Sequence, residues 1–162
     1  RLLGHMAVNN DHWRDFCDGN EALVIFQGAH TYISPSWYKN DNMVPTWNYS
    51  AVHVYGVPSI IEETSETIEI LERATEIFEP QEKNKWSLKT LDQKLFHTMI
   101  NNIVAFKISI SRIEAKWKMG QNRRDEDVLG AIQKLEQSDD KNMRLVAKDM
   151  HRHLTKRMKV LD

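Results

Sequence analysis

The chain begins with short apolar segments separated by turn-forming residues. Residues 2–8 predict the end of a strand, and the turn residues Asn9, Asn10 and Asp11 are expected to supply the cap of a short helix over residues 12–17. Residues 18–20, Asp-Gly-Asn, suit the left-handed conformation that closes such a helix. The pattern predicts a strand, a capped helical turn and a second strand.

Apolar runs then predict two short strands followed by a long loop. Residues 22–26 form a continuous apolar run whose length fits a buried strand. Gly28 is expected to interrupt it, and residues 30–33 to continue as a separate short strand. Residues 34–50 combine prolines, polar residues and four large aromatic residues, which predicts a loop.

Two later strands carry irregular positions. Residues 51–61 predict a strand in which Gly56 and Pro58 indicate a sheet edge or a bulge. Residues 103–110 alternate strictly between apolar and polar side chains, as in a half-buried strand. The alternation slips by one residue at Arg112, which predicts a bulge or a bend.

Helical spacing dominates the second half of the chain. It predicts helices over residues 65–78, 87–100, 125–136 and 139–161, with Ser87 as a cap for the second. The last helix has an apolar stripe formed by Met143, Ala147, Met150, Leu154 and Leu161. Helices and strands in these proportions predict an α+β fold.

Composition narrows the class of protein. The 162 residues include 41% hydrophobic and 28% charged side chains, a normal balance for one globular domain. A single cysteine excludes an internal disulfide, and no segment approaches the roughly 20 apolar residues of a membrane helix. We expect a cytoplasmic protein that does not enter a membrane. His151 and His153 are interpreted as an exposed helical pair rather than metal ligands.

The loop at residues 34–50 is the first candidate site. Trp37, with Ser34 and Ser36 beside it, offers a stacking surface and hydrogen-bonding groups for a flat heteroaromatic ligand. The same aromatic residues are equally typical of a barrel end or a subunit interface.

Two further segments contain polar groups suited to an anion. Residues 118–124 place three cations beside two amides directly after Trp117, which suits a phosphate and the rim of a ring. An ordinary charged surface loop is the alternative. His5, at a strand end before a turn, either contacts an anion or has a purely structural role.

These segments resemble a known family. The motifs Gly-His-Met-Ala-x-x-Asn-x-x-Trp (4–13), Phe-Gln-Gly-Ala-His-Thr-Tyr-Ile-Ser-Pro-Ser-Trp-Tyr (26–38), Val-Pro-Thr-Trp-Asn-Tyr-x-Ala-Val-His-Val-Tyr-Gly (44–56) and Lys-x-x-Gln-Asn-Arg (118–123) are similar to those of the PaiB family. Its members are described as FMN-binding negative transcriptional regulators.

The resemblance implies an FMN-binding split β-barrel, antiparallel and of Greek-key type, with a helical C-terminal extension. It implies a homodimer with flavin at the interface, related to pyridoxamine-phosphate oxidases, and a link to sporulation and protease production. We expect residues 1–124 to form the barrel domain, without the family's first strands, and 125–162 the extension. The cofactor-binding residues it implies are His5, Asn10, Trp13, Ser34, Ser36, Trp37, Trp117, Lys118, Gln121, Asn122 and Arg123.

The regulator hypothesis points to DNA, and the last helix is its predicted contact. That helix is basic, and Lys141, Arg144, Lys148 and Arg152 are the proposed phosphate contacts. Two alternatives stay open. One is a flavin-dependent oxidoreductase with a pocket lined by His30, Tyr32 or His53, and the other is a module that senses flavin.

Overall fold

The computed structural model describes residues 1–80 and 86–158. Within them, four strands and four α-helices follow one another along the chain. They are β1 (Leu2–Ala7), β2 (Ala22–Ile33), β3 (Thr46–Ile60), α1 (Thr64–Phe78), α2 (Gln93–Ile100), β4 (Ile103–Lys118), α3 (Asp125–Glu136) and α4 (Lys141–Met158). Short 3-10 helices occupy Asp11–Asp18, Pro35–Trp37 and Leu88–Thr90. The α+β class and the helical C-terminal segment are confirmed.

The four strands form one sheet in the order β1-β4-β3-β2. β1 pairs antiparallel with β4, so that Gly4 lies opposite Phe106 and His5 opposite Ala105. The Gly4 position has no room for a side chain, because a Cβ there would overlap the Phe106 ring. A glycine at this point therefore lets the aromatic ring lie across β1.

The chain divides into two compact units that share these strands. The first unit comprises Arg1–Val24 and Val54–Ile113, and the second comprises Ile25–His53 and Glu114–Asp162. In the first unit, a small core of Ile61, Ile70 and Ala105 packs with Leu3. In the second, α3 and α4 bury the larger core, formed by Ile33, Met119, Val128, Ala131, Ile132, Leu135, Val146, Ala147, Met150 and Leu154.

Several local predictions are confirmed. Asn10 caps the first 3-10 helix by accepting a hydrogen bond from the backbone N–H of His12, and Gly19 ends it at φ 70°. α3 covers the predicted residues, and α1 begins one residue early. In α4, Ala147, Met150 and Leu154 are buried as the stripe predicts, while Leu161 lies outside the described residues.

The prediction that Gly28 divides two short strands is wrong. β2 continues through it, and a Cβ at this position would overlap Ser50 Oγ on β3. Gly28 therefore permits a close approach between neighbouring strands instead of breaking one of them.

The predicted loop at residues 34–50 is also too long. Its ends take up regular structure, the 3-10 helix Pro35–Trp37 at one side and the start of β3 at Thr46 on the other. β3 lies between β4 and β2, so the edge interpretation of Gly56 and Pro58 is wrong for this strand as a whole. Gly56 again marks a close approach, because a Cβ there would overlap the backbone carbonyl oxygen of Ser109 on β4.

Two predicted boundaries in the second half change. The helix expected over residues 87–100 divides into the 3-10 helix Leu88–Thr90 and α2, because Asp92 caps α2 through the backbone N–H groups of Lys94 and Leu95. Ser87 makes no capping hydrogen bond from its side chain. β4 continues past the slip at Arg112 to Lys118, one residue beyond Trp117, where the strand was expected to end.

Candidate functional site

The predicted residues Ser34, Ser36 and Trp37 lie together at the end of β2. Ser34 caps the short 3-10 helix, since its hydroxyl accepts from the Ser36 backbone N–H at 3.3 Å. The two hydroxyl oxygens are 2.7 Å apart. Trp37 is half-buried against the core of the second unit, and its backbone carbonyl touches Gly130 of α3. The segment therefore presents a pair of hydroxyls on a turn held by α3.

Tyr38 and Arg123 connect this segment to the turn at residues 118–123, which is part of the candidate anion-binding segment. The Arg123 guanidinium lies 5.5 Å from the centroid of the Tyr38 ring, and its Nη1 donates to Met43 Sδ at 3.7 Å. Burial raises the pKa of the Tyr38 phenol, while the Arg123 charge and hydrogen bond oppose the shift. Tyr38 therefore stays neutral at physiological pH, beside a permanent positive charge.

A buried carboxylate fixes the loop that follows Tyr38. Asp127, only 2% exposed, accepts hydrogen bonds from the backbone N–H groups of Lys39 and Asn40 at 2.8 and 3.2 Å. The sequence does not single out Asp127, because an acidic residue in the first turn of a helix usually acts on its own helix. Here it ties the aromatic loop to α3.

The turn at residues 118–123 is closed by its own side chains. Gly120 adopts φ +79°, and the Arg123 backbone N–H donates to the Gly120 carbonyl at 2.9 Å. Gln121 spans the turn, with Oε1 accepting from Met119 N at 2.8 Å and Nε2 donating to the Trp117 carbonyl at 2.5 Å. Gln121 is therefore engaged in shaping the turn, and Asn122 is exposed at its tip.

Lys118 links the turn at residues 118–123 to the start of β3. Its Nζ donates to Thr46 Oγ1 at 2.6 Å. A lysine ammonium has three N–H donors and an arginine guanidinium has five, so these contacts use only part of what Lys118 and Arg123 can offer. The donor set suits a phosphate.

Trp117 precedes the turn and is 38% exposed. Its ring meets His153 of α4 edge-on at 5.4 Å between centroids. Trp117 also lines a groove of about 370 Å³, together with Phe26, Val52 and neighbouring residues of β2, β3 and β4. The groove has the aromatic and apolar lining that a flat ring requires. The interpretation of His153 as an exposed helical residue is wrong, since it is partly buried by this contact.

His5, Asn10 and Trp13 belong to the first unit. Trp13 Nε1 donates to the Val8 carbonyl at 2.9 Å, and Asn10 Oδ1 caps the 3-10 helix, so both have local structural partners. His5 lines an apolar cavity of about 380 Å³ with side chains of α1 and α2, among them Leu71 and Phe96. These contacts support a structural role for His5.

The predicted DNA contacts share one stripe of α4. Lys141, Arg144, Lys148 and Arg152 are all exposed, and their spacing places them on one face of the helix. Arg144 donates to the Ser138 carbonyl at 2.6 Å, and Arg152 lies 3.8 Å from Asp149. Two of the four cations therefore already have partners within the chain.

The residues named for an oxidoreductase pocket have local contacts. His30 Nδ1 lies 3.2 Å from the Gly28 carbonyl, and Tyr32 packs edge-on against Trp47. Among residues 1–80 and 86–158, no group of three or more His, Cys, Asp or Glu side chains is arranged to hold a metal ion. In the same part of the chain, no helix has the length and apolar character needed to cross a bilayer.

Sequence comparison relates the chain to proteins with a flavin-binding domain. A family model described as "Putative FMN-binding domain" matches residues 1–112. The chain is 39% identical over 162 residues to Protease synthase and sporulation protein PAI 2 of Bacillus subtilis, covering 97% of this chain and 75% of that protein.

Comparison with solved structures concerns the fold. The flavocytochrome Anf3 from Azotobacter vinelandii matches with a TM-score of 0.54 and 14% identity, over 78% of this chain and 54% of that one. The FAD and heme binding protein from Mycobacterium smegmatis also matches with a TM-score of 0.54, at 16% identity, over 79% and 58% of the two chains. The chain thus spans little more than half of each of these structures. At such identities the likeness shows the fold alone, and it confirms the predicted split-barrel class.

Proposed function

The chain belongs to the PaiB family, and we propose that it is a cytoplasmic, homodimeric regulator that binds FMN. The flavin supplies a flat redox-active ring and a phosphate. In this proposal, Lys118 and Arg123 bind the phosphate, Ser34 and Ser36 donate hydroxyl hydrogen bonds, and Trp37 and Trp117 contact the ring. Gln121 and Asn122 belong to the same turn, whereas His5, Asn10 and Trp13, which the family also implies, lie in the first unit and have local partners there.

The observation that carries this proposal is the meeting of the aromatic loop with the cationic turn. Arg123 contacts Tyr38 and Met43, and Lys118 contacts Thr46. Three contacts thus join two segments that are some 70 to 90 residues apart in sequence. Cations next to hydroxyls and aromatic rings match the two chemically different ends of FMN.

Titration of the protein with FMN, followed by quenching of flavin fluorescence, tests the cofactor site. We expect Arg123→Ala to weaken FMN binding by about 10- to 100-fold, the loss of a hydrogen bond between charged groups. Riboflavin, which lacks the phosphate, should lose much less affinity. Arg124→Ala is the matched control, because Arg124 is the next residue, has the same charge and is largely exposed. Equal affinities for FMN in the Arg123 and Arg124 variants would contradict the proposed site.

The regulatory part of the proposal rests on the Bacillus relative and on α4. That relative is named for protease synthesis and sporulation. The exposed stripe of Lys141, Arg144, Lys148 and Arg152 supports phosphate contacts with DNA. We infer a repressor that uses α4 to contact the DNA backbone.

Binding to a mixed-sequence DNA duplex at several salt concentrations tests this role. We expect charge reversal at Lys148 to weaken binding and to lower the salt dependence by about one phosphate contact. Lys134→Glu on α3 is the control, since Lys134 is exposed but lies outside the stripe. Identical binding curves for both variants and the parent protein would exclude α4 as the DNA contact.

The homodimer is supported by apolar side chains exposed on the second unit. Ile25, Phe26 and Trp47 are each about half exposed, and large apolar and aromatic side chains are enriched at subunit interfaces. Light scattering after gel filtration should give a dimer mass for the protein and a monomer mass for Ile25→Lys. Val44→Lys is the control, since Val44 is exposed in the loop before β3. A monomer mass for the unmodified protein would refute this part of the proposal.

A further inference from the structure

Arg157, near the end of α4, contacts the turn at residues 118–123 from the side of the helices. Its Nη1 donates to the Gln121 carbonyl at 3.1 Å and to the Arg123 carbonyl at 3.2 Å. The guanidinium also forms an ion pair with Asp125, the first residue of α3. One partly buried side chain therefore joins α4, α3 and two carbonyls of the turn.

These contacts fix which way the turn faces. The Gln121 and Arg123 carbonyls both point to Arg157, while the Gln121 side chain closes the turn from within. The guanidinium also balances the partial negative charge of the two carbonyl oxygens, which would otherwise repel an anion bound at the turn. Two carbonyl oxygens of the turn are thus held toward α4.

The surrounding helix supports the same arrangement. Met150 lies below Gly120, within 3.9 Å of where a Cβ would stand, and accepts a hydrogen bond from Asn48 Nδ2 at 3.2 Å. His153 contacts Trp117 at the entrance to the turn. Met150, His153 and Arg157 recur at helical spacing, so one face of α4 contacts the turn along its length.

We propose that Arg157 is a positioning residue for anion binding by the turn, which it orients so that Lys118 and Arg123 face the flavin phosphate. Arg157 itself does not touch the flavin. This inference rests on the proposed function, since it assigns Arg157 a part in the same site.

The test compares Arg157→Ala, Arg157→Lys and Lys156→Ala in titrations with FMN and with riboflavin. We expect Arg157→Ala to weaken FMN binding by about tenfold, as for one lost charge-assisted hydrogen bond, with little change for riboflavin. Arg157→Lys should recover part of the loss, since lysine keeps the charge and can donate to one carbonyl. Lys156→Ala, an exposed neighbour on the same helix, should bind as the parent does.

Hydrogen exchange without ligand provides a second readout. Peptides covering residues 118–124 should exchange faster in Arg157→Ala, while those from β1 and α1 exchange as before. The inference is overturned if Arg157→Ala binds FMN with the affinity of the parent protein. It is also overturned if this variant loses affinity for FMN and riboflavin equally and exchanges faster throughout the chain, because a purely structural residue would behave in this way. If the unmodified protein binds no FMN, the proposed function fails and the positioning role with it. FMN binding by the parent that Arg157→Ala leaves unchanged rejects the positioning role alone.

Discussion

Replacing Gly130 with alanine should destabilise the protein, although alanine has a higher helix propensity than glycine and should by itself stabilise α3. In an exposed helix interior, Gly to Ala stabilises by about 1 kcal/mol. Gly130, however, lies against the backbone of the 3-10 helix at Pro35–Trp37. A Cβ at residue 130 would approach the Trp37 carbonyl oxygen more closely than the 3.0 Å that real Cβ atoms keep.

The structure gives the size of the effect. Relief of the overlap requires α3 and the Trp37 backbone to separate by about 1 Å, and overpacking of this kind costs about 1–3 kcal/mol. The obstacle is a backbone carbonyl, which cannot move to another rotamer, so the upper part of that range applies. After subtraction of the helix gain, the free energy of unfolding should fall by about 1–2 kcal/mol.

Urea unfolding followed by circular dichroism measures this change. Gln133→Ala, at an exposed position of α3, is the control and should change stability by less than about 0.5 kcal/mol. A Gly130→Ala protein about 1 kcal/mol more stable than the parent would refute the close packing of α3 on Trp37. The same variant should bind FMN more weakly, since the displaced segment carries Ser34 and Ser36.

Three further outcomes follow from the contacts. Asp127→Ala should lower the free energy of unfolding by about 2–3 kcal/mol in thermal unfolding, because the N–H groups of Lys39 and Asn40 lose their buried acceptor. Glu126→Ala should leave stability unchanged, and equal effects of the two substitutions would contradict the role of Asp127 in tying the loop to α3. The Tyr38 phenolate should appear in ultraviolet pH titrations above the ordinary tyrosine range, and Arg123→Ala should raise the pKa of Tyr38 further; a lowered pKa would refute the assigned causes. Since the folded-state pKa of Tyr38 is raised, its contribution to stability is complete below a pH of about 10 and is lost as the pH rises further. Asn10→Ala should lower the free energy of unfolding by about 1 kcal/mol, because the first 3-10 helix loses its capping hydrogen bond. An unchanged midpoint of urea unfolding would contradict this capping role.

The sequence predicts those elements whose signals are local. α3 has acids in its first turn and apolar residues at helical spacing, and it forms over the predicted residues. The Asn10 cap and the left-handed Gly19 likewise depend on residues within one turn of each other. Such features are independent of the rest of the fold, so the sequence alone predicts them.

Errors occurred where a distant segment decides the outcome. Gly28 looks like a strand breaker until Ser50 is placed opposite it, and Thr46 belongs to a strand because β2 and β4 lie on either side. The choice of Asp92 over Ser87 as a cap is different, because both signals are local. There the carboxylate accepts from two backbone N–H groups, while Ser87 makes no such bond.

The residues of the candidate site likewise fall into those that the sequence identifies and those that depend on distant partners. Its recognisable residues, such as Trp117 and Arg123, belong to motifs shared with a family, and the sequence identifies them. Tyr38, Asp127 and Arg157 gain their importance from partners tens of residues away, which no local pattern indicates. The contacts of these three residues form only when the elements that carry them pack together.

The visible absorption spectrum of the purified protein, recorded before and after addition of FMN, tests the central claim most directly. We predict a bound-flavin spectrum with shifted bands and quenched fluorescence, which Arg123→Ala abolishes at the same FMN concentration and Arg124→Ala preserves. A spectrum of free FMN in the presence of excess unmodified protein would contradict a flavin site in this chain.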